Sequence, residues 1–214
     1  MKDVLVIQGG WPDHHPREFA TIVRDHLTTT GADVEVHDSL AVLDDAESLS
    51  RYDLIVPIWT MGELTDVQER NLLRAVEAGA GLAGWHGGMG DAFRPNLNYK
   101  LMVGGQFVAH PGNFRRYQVR ISDRDDPISA GLGDFEITSE QYYLHVDPSN
   151  EVLAETTFSG DDLPWIDGVV MPVAWKRRWG LGKVFYLALG HEVSEFEIPE
   201  VWTMVTRGLV WASR

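Results

Sequence analysis

Histidine and carboxylate are the side chains of this chain best equipped for chemistry. Cysteine is absent from its 214 residues, which removes thiolate nucleophiles, disulfides and cysteine-type zinc sites together. Eight histidines remain. His86 lies in Gly84-Trp85-His86-Gly87-Gly88, directly after an apolar run. That spacing resembles a nucleophile elbow, in which a tight turn lifts one side chain over the end of a sheet. Glycines flank such a turn where a side chain would clash or where φ is positive. An imidazole there suits metal ligation or proton transfer and is a rare nucleophile. His191 follows a second apolar run, in Gly190-His191-Glu192. His110 sits in Phe107-Val108-Ala109-His110-Pro111, and Glu140 and His145 share the segment Ser139–His145.

His86, His110, His191 and Glu140 together form a candidate ligand set for a divalent metal. Zinc takes about four such N/O ligands at about 2.0–2.2 Å, and manganese, iron or nickel also accept imidazole and carboxylate. The four are scattered in sequence, with no H-E-x-x-H motif. Without a metal, His86 and His191 could act as an acid–base pair. His14 and His15, in the first strand–helix loop, are candidates for substrate contact. So are Trp11, Trp59 and Trp85, whose flat faces at strand ends would suit the apolar face of a sugar ring. His26 and His37 stand away from glycine loops and read as structural. Gly9-Gly10 does not continue into a G-x-G-x-x-G or Walker pattern, so no nucleotide is expected.

The elements that must position these residues alternate. Val4–Ile7 and Leu54–Ile58 read as buried strands, Asp33–His37 as an alternating one, and Gly81–Trp85 as the strand before His86. A helix is predicted over Pro16–Leu27, ended by Gly31. A second starts at Thr65, with Gln68 completing a capping box, and closes at Gly79. This alternation implies a parallel sheet with helices on both faces, whose ligands bind beyond the carboxyl ends of the strands. The loops that carry Trp11–His15, Trp59–Gly62 and His86–Met89 all fall there. The second half differs. Tyr117–Ile121, Val152–Thr157, Gly168–Trp175 and Lys183–Leu189 read as strands without long helices between them, several of them antiparallel additions. Pro199–Trp211 closes the chain as a helix, with Val201, Val205, Leu209 and either Val210 or Trp211 inward. Asp123–Asp126 reads as a solvated turn. With no repeat or linker, residues 1–214 are expected to form one domain.

Composition narrows the function classes. Hydrophobic residues at 44% and charged residues at 23% suit a folded globular chain and not a disordered one. Lys+Arg 18 against Asp+Glu 32 gives a net charge of −14, which disfavours nucleic acid and anionic membranes as partners. It suits a neutral substrate better than an anionic one, unless Arg115, Arg116, Arg177 or Arg178 builds a local basic pocket. No apolar run reaches the roughly 20 residues of a membrane span. The start of the chain passes directly into a strand, without a signal-peptide pattern, so a cytoplasmic location is expected. Oligomeric state is left open.

Several blocks resemble the ThuA-like (trehalose utilisation) family of the class I glutamine amidotransferase-like superfamily. They are Gly81–Gly88, Gly104–Pro111, Asp126–Ile128, Ser139–Tyr142, Pro172–Trp175, Gly182–His191 and Arg207–Trp211. The resemblance implies a flavodoxin-like three-layer αβα fold and a link to disaccharide metabolism. It also implies work on 3-keto sugars, supplied by a partner sugar dehydrogenase. The amidotransferases carry a catalytic cysteine at the elbow and a histidine after a later strand. Here His86 replaces that cysteine and His191 matches the histidine, so glutaminase chemistry is excluded. The expected activity is a metal-dependent lyase, hydrolase or isomerase on a keto sugar. In it Glu140 would serve as general base or fourth ligand, and His145 as proton donor to a leaving oxygen. A sugar-binding protein without catalysis is the alternative.

Overall fold

The computed structural model describes residues 2–214. Its strands are β1 (Asp3–Gly10), β2 (Asp33–His37), β3 (Leu54–Thr60), β4 (Gly81–Trp85), β5 (Gly105–Ala109), β6 (Phe114–Ile121), β7 (Phe135–Glu140), β8 (Tyr143–Val146), β9 (Glu151–Thr157), β10 (Val170–Trp179) and β11 (Gly182–Leu187). Its helices are α1 (Pro16–Thr29), α2 (Ala46–Leu49), α3 (Asp66–Glu77), α4 (His86–Gly90), α5 (Leu97–Val103) and α6 (Pro199–Ala212).

Nine strands form one sheet in the order β2-β1-β3-β4-β11-β10-β9-β6-β7. The first five are mutually parallel, and every pairing from β11–β10 onward is antiparallel. This is the flavodoxin-like α/β fold with antiparallel additions that the sequence implies. β5 and β8 form a separate antiparallel ribbon. Val4–Ile7 and Leu54–Ile58 are buried throughout, as strands covered by helices on both faces must be. α1 and α6 share one face, where the His26 ring meets Trp202 at 5.0 Å. α2, α3 and α5 pack on the other.

The local signals hold in detail. Thr65 Oγ1 accepts from the Gln68 amide at 3.2 Å, and Gln68 Oε1 accepts from the Thr65 amide at 3.1 Å. β5, β7 and β8 carry no sequence prediction; they are short and lie in the antiparallel half. α6 turns Val201, Val205 and Leu209 inward, leaves Trp211 half-buried and exposes Val210. The solvated-turn expectation for Asp123–Asp126 needs correction. Asp126 is buried, accepts from the Ile128 amide at 2.9 Å and pairs with Lys176, because β10 brings that lysine over the turn.

At the opposite end of the sheet from the strand carboxyl ends, Asp53 ties three segments together. Its Oδ2 accepts from the Asp3 amide at 3.0 Å and its Oδ1 from Arg214 Nε at 3.1 Å, while its carbonyl accepts from the Gly81 amide. Burial alone would raise its carboxyl pKa; the Asp3 amide and Arg214 outweigh burial and leave it below its ordinary 3.8. A depressed carboxyl stabilises the fold above its unfolded pKa, and the contribution is lost as pH falls through the folded value. Asp53→Asn is therefore expected to cost about 1–2 kcal/mol near pH 7. The gap from the parent protein should narrow as pH falls below the ordinary carboxylate range, read by urea unfolding at neutral and at acid pH.

Candidate metal centre

Four parallel strands deliver loops to one edge, where a flavodoxin-like sheet holds its ligands. β1 runs into the loop with Trp11 and His14. β3 ends at Thr60, β4 hands on to His86, and β11 leads to His191. His86 has φ 46°, the left-handed region that the glycine-flanked turn predicts. A non-glycine residue there carries strain and needs support from its surroundings. Tyr186 donates its hydroxyl to the His86 carbonyl at 3.1 Å, and Lys100 donates to the Gly90 carbonyl at 3.1 Å. Both hold α4 in place.

The His86 ring is buried and oriented. Its Nδ1–H donates to the Ala188 carbonyl at 3.0 Å, which leaves the Nε2 lone pair pointing into the site. His86 Nε2 lies 3.1 Å from His191 Nδ1 and 3.3 Å from Glu140 Oε2; His191 Nδ1 lies 3.2 Å from the same oxygen. The three atoms form a nearly equilateral triangle. Tetrahedral zinc with ligand distances of about 2.0–2.1 Å would space its ligands about 3.3 Å apart, so the triangle has the size of one face of that tetrahedron. His14 completes the set: one donor atom from each of His14, His86, Glu140 and His191 lies within 4.8 Å of the others. Its Nδ1 meets Thr60 Oγ1 at 2.8 Å, which fixes the ring.

Electrostatics divide over this set: His14 and Glu140 suit ligation, while His191 leans toward keeping a proton. Burial and the positive potential of His86 and His191 pull His14 down from 6.5 to about 3, so its imidazole is neutral at physiological pH and has no proton to displace. Burial would raise Glu140; the hydrogen bond from His191 and the close approach of His86 outweigh it and keep the carboxyl far below its usual range. Burial would lower His191; its bond to Glu140 and the carboxylates around it reverse the sign and raise it.

A cavity of about 500 Å³ opens above the cluster, within the range of small-molecule sites. Trp11, Arg94, His110, Phe114 and Tyr142 are among its walls. His110 departs from the predicted ligand set. Its Nε2 stands 3.6 Å from Glu140 Oε1, the oxygen outside the triangle, and the group of donor atoms that lie within 4.8 Å of one another contains His14 in its stead. Trp11 is 44% exposed and lines the cavity.

Four other predicted site residues stand apart. His145 is exposed on β8, paired in register with Gln106; its neighbour Leu144 is buried, and strand alternation turns His145 the other way. Trp85 is 3% exposed, packed between Phe19 and Phe196 in the helix layer. The Trp59 ring covers Gly9 and Gly62 and is not on the cavity wall. His15 pairs with Glu192 at 3.3 Å on the rim. Sequence reasoning assigns no role to Tyr142, Asp91, Arg94 or Phe114. Tyr142 donates its hydroxyl toward His86 Nε2 at 2.9 Å. Arg94 grips the buried Asp91 with Nε and an amino group at 2.7 and 2.8 Å; the i,i+3 spacing was the only available signal.

Gly87 shows how tightly His14 is seated. A Cβ there would lie 2.6 Å from the His14 ring and 2.9 Å from Thr60 Oγ1. Gly87→Ala is expected to push His14 out and weaken zinc binding at least tenfold, as loss of a group orienting a ligand does. Titration calorimetry reads that loss.

A sequence profile of the ThuA family, described as trehalose utilisation, matches residues 3–212. The fold is similar to that of a ThuA-like protein of Bacteroides uniformis ATCC 8492 (TM-score 0.81, 17% identity, 99% of this chain and 91% of that one). A ThuA-like protein of Parabacteroides merdae ATCC 43184 is also similar (TM-score 0.78, 18% identity, 99% and 89%). So is a cytoplasmic protein of Salmonella typhimurium LT2 (TM-score 0.69, 14% identity, 100% of both). No curated protein sequence matches significantly. Among the described residues, no helix is long and apolar enough to cross a membrane. With a profile match over residues 3–212, nearly its full length, the chain belongs to the ThuA family.

Proposed function

We propose that this chain is a divalent-metal enzyme acting on a neutral, oxidised sugar, such as a 3-keto disaccharide or glycoside. The observation that carries the reading is the group of three imidazoles and one carboxylate at the floor of a cavity. His14, His86, Glu140 and His191 would hold the ion; the N/O donor set suits zinc, with manganese, iron or nickel as alternatives. When bound, the ion supplies Lewis acidity to a substrate carbonyl, making the neighbouring C–H acidic.

The remaining residues have distinct tasks. His110 faces the cavity and leans on the outer oxygen of Glu140. It could take that C–H proton, the task expected of Glu140, or protonate a leaving oxygen, the task expected of His145. Elimination, hydrolysis and isomerisation all use such a step. Trp11 and Phe114 present flat faces for a sugar ring. The cavity has no surplus of positive charge: Arg94 is engaged by Asp91, and Asp13 also lines the wall. Arg115, Arg116 and Arg177 pair with carboxylates elsewhere. A sugar phosphate would therefore lack a counter-charge. A 3-keto substrate would come from a sugar dehydrogenase, as the family resemblance implies.

A metal-free reading has its own support, because the triangle's distances are also hydrogen-bond distances. A proton on His191 Nδ1 would satisfy Glu140, and the raised pKa of His191 favours it. The test is turnover of a 3-keto glucoside, followed by NMR. Product formation that stops in chelator and returns with zinc or manganese supports the proposal. Undiminished turnover in chelator favours the histidine pair, and binding without turnover favours a sugar-binding protein.

A further inference from the structure

Glu140 and His191 meet although the sheet does not bring them together. Glu140 ends β7, the outermost strand, and three strands separate it from β11 and His191. No strand ladder between them sets their 3.2 Å contact. A buried carboxylate behind the site does span the gap. Glu195, in the short 3-10 turn Val193–Glu197, is 4% exposed and is not on the cavity wall. Its Oε1 accepts from Ser139 Oγ at 2.7 Å and from the Glu192 amide at 3.2 Å; its Oε2 accepts from the Gly190 amide at 2.7 Å. Ser139 immediately precedes Glu140, and Gly190 immediately precedes His191.

We propose that Glu195 is a positioning residue that sets the spacing of Glu140 and His191, and through it the affinity of the site for a divalent ion. A buried carboxylate is retained only with full hydrogen bonding. Here each donor comes from a segment that carries a ligand or adjoins one. The carboxylate has two acceptor oxygens, Oε1 shared by Ser139 and Glu192 and Oε2 taken by Gly190, and no other side-chain type of that length offers both. In Glu195→Gln one oxygen becomes an NH2 group. Turned toward Gly190, it faces an N–H; turned toward Ser139, it faces the Glu192 N–H. Either way one of the two amide bonds to the His191 segment is lost and an N–H is set against an N–H, while volume is kept.

This inference rests on the metal reading above, and zinc titration calorimetry on the intact protein separates the two. Glu195→Gln is expected to weaken zinc binding about 10- to 100-fold, the usual effect of removing a group that orients ligands, with its circular dichroism unchanged. In the cobalt-loaded protein the visible d–d absorption should shift as the ligand geometry relaxes. Asn71→Ala is the control for general loosening: Asn71 is equally buried and bridges to the Leu43 and Asp44 carbonyls, remote from the site. It should lower stability and leave zinc affinity within about twofold. Should Glu195→Gln fail to fold, Ser139→Ala removes one donor only and should still weaken binding by about threefold or more. Zinc affinity within twofold of the parent in Glu195→Gln, or in Ser139→Ala if that variant must stand in, overturns the inference. An equal loss in Asn71→Ala also overturns it. Absence of zinc binding by the parent protein defeats the metal reading itself, and this inference with it.

Discussion

Replacing His86 with alanine is expected to reduce bound metal from near one equivalent to a small fraction and to lower turnover by about three orders of magnitude. His86 Nε2 is a shared vertex of the site, within 3.3 Å of both Glu140 and His191. Nε2 is the unprotonated nitrogen because Nδ1–H is committed to Ala188, and an ion there would displace the hydroxyl that Tyr142 donates to it. No other imidazole can enter that position, since the ring is 1% exposed and walled by Tyr142. Loss of Lewis acidity is worth several kcal/mol in the transition state, and about 4 kcal/mol corresponds to 10³ in rate. Alanine also strands the Ala188 carbonyl, at about 1–3 kcal/mol of stability. His86→Asn separates the two effects. Asparagine tolerates the left-handed backbone, so the fold should hold while metal and activity are lost. Retention of metal by both variants would place the ion elsewhere.

The second large effect divides His14 from His110. Sequence reasoning ranks His110 among the ligands; in the proposed set His14 stands in its stead, and His110 lines the cavity outside the donor group. His14→Ala is therefore expected to lose metal and activity together. His110→Ala should keep near-stoichiometric metal and still lose about 10²- to 10⁴-fold in kcat, the range of a missing acid or base. Elemental analysis beside single-turnover kinetics reads both quantities. Loss of metal in His110→Ala with retention in His14→Ala would restore the sequence-based set.

That exchange marks how far the sequence can be read. Signals confined to a few residues translate directly: the buried β1 run, the Thr65–Gln68 box and the turn at His86 all depend on neighbours in the chain. The meeting of His86 and His191 follows too, since both leave parallel strands at one edge. His14 and His110 cannot be ranked that way, because both sit in loops. What seats His14 is the missing side chain at Gly87 and the Thr60 hydroxyl, each from another loop. Glu140 arrives from the far edge of the sheet, with Glu195 bridging behind it. His145 fails on strand phase alone, being one residue out of step with buried Leu144. Trp85 is a strand-end aromatic turned into the helix layer, where Phe19 and Phe196 enclose it.

The most direct measurement is the metal content of the purified, tag-free protein by inductively coupled plasma mass spectrometry, before and after incubation with zinc, manganese, nickel and iron salts. The account predicts close to one equivalent of a single divalent metal, removed by chelator and absent from His86→Ala. Protein that takes up none of these ions, and turns over a keto sugar regardless, would contradict it and leave His86, Glu140 and His191 as a proton-transfer triad.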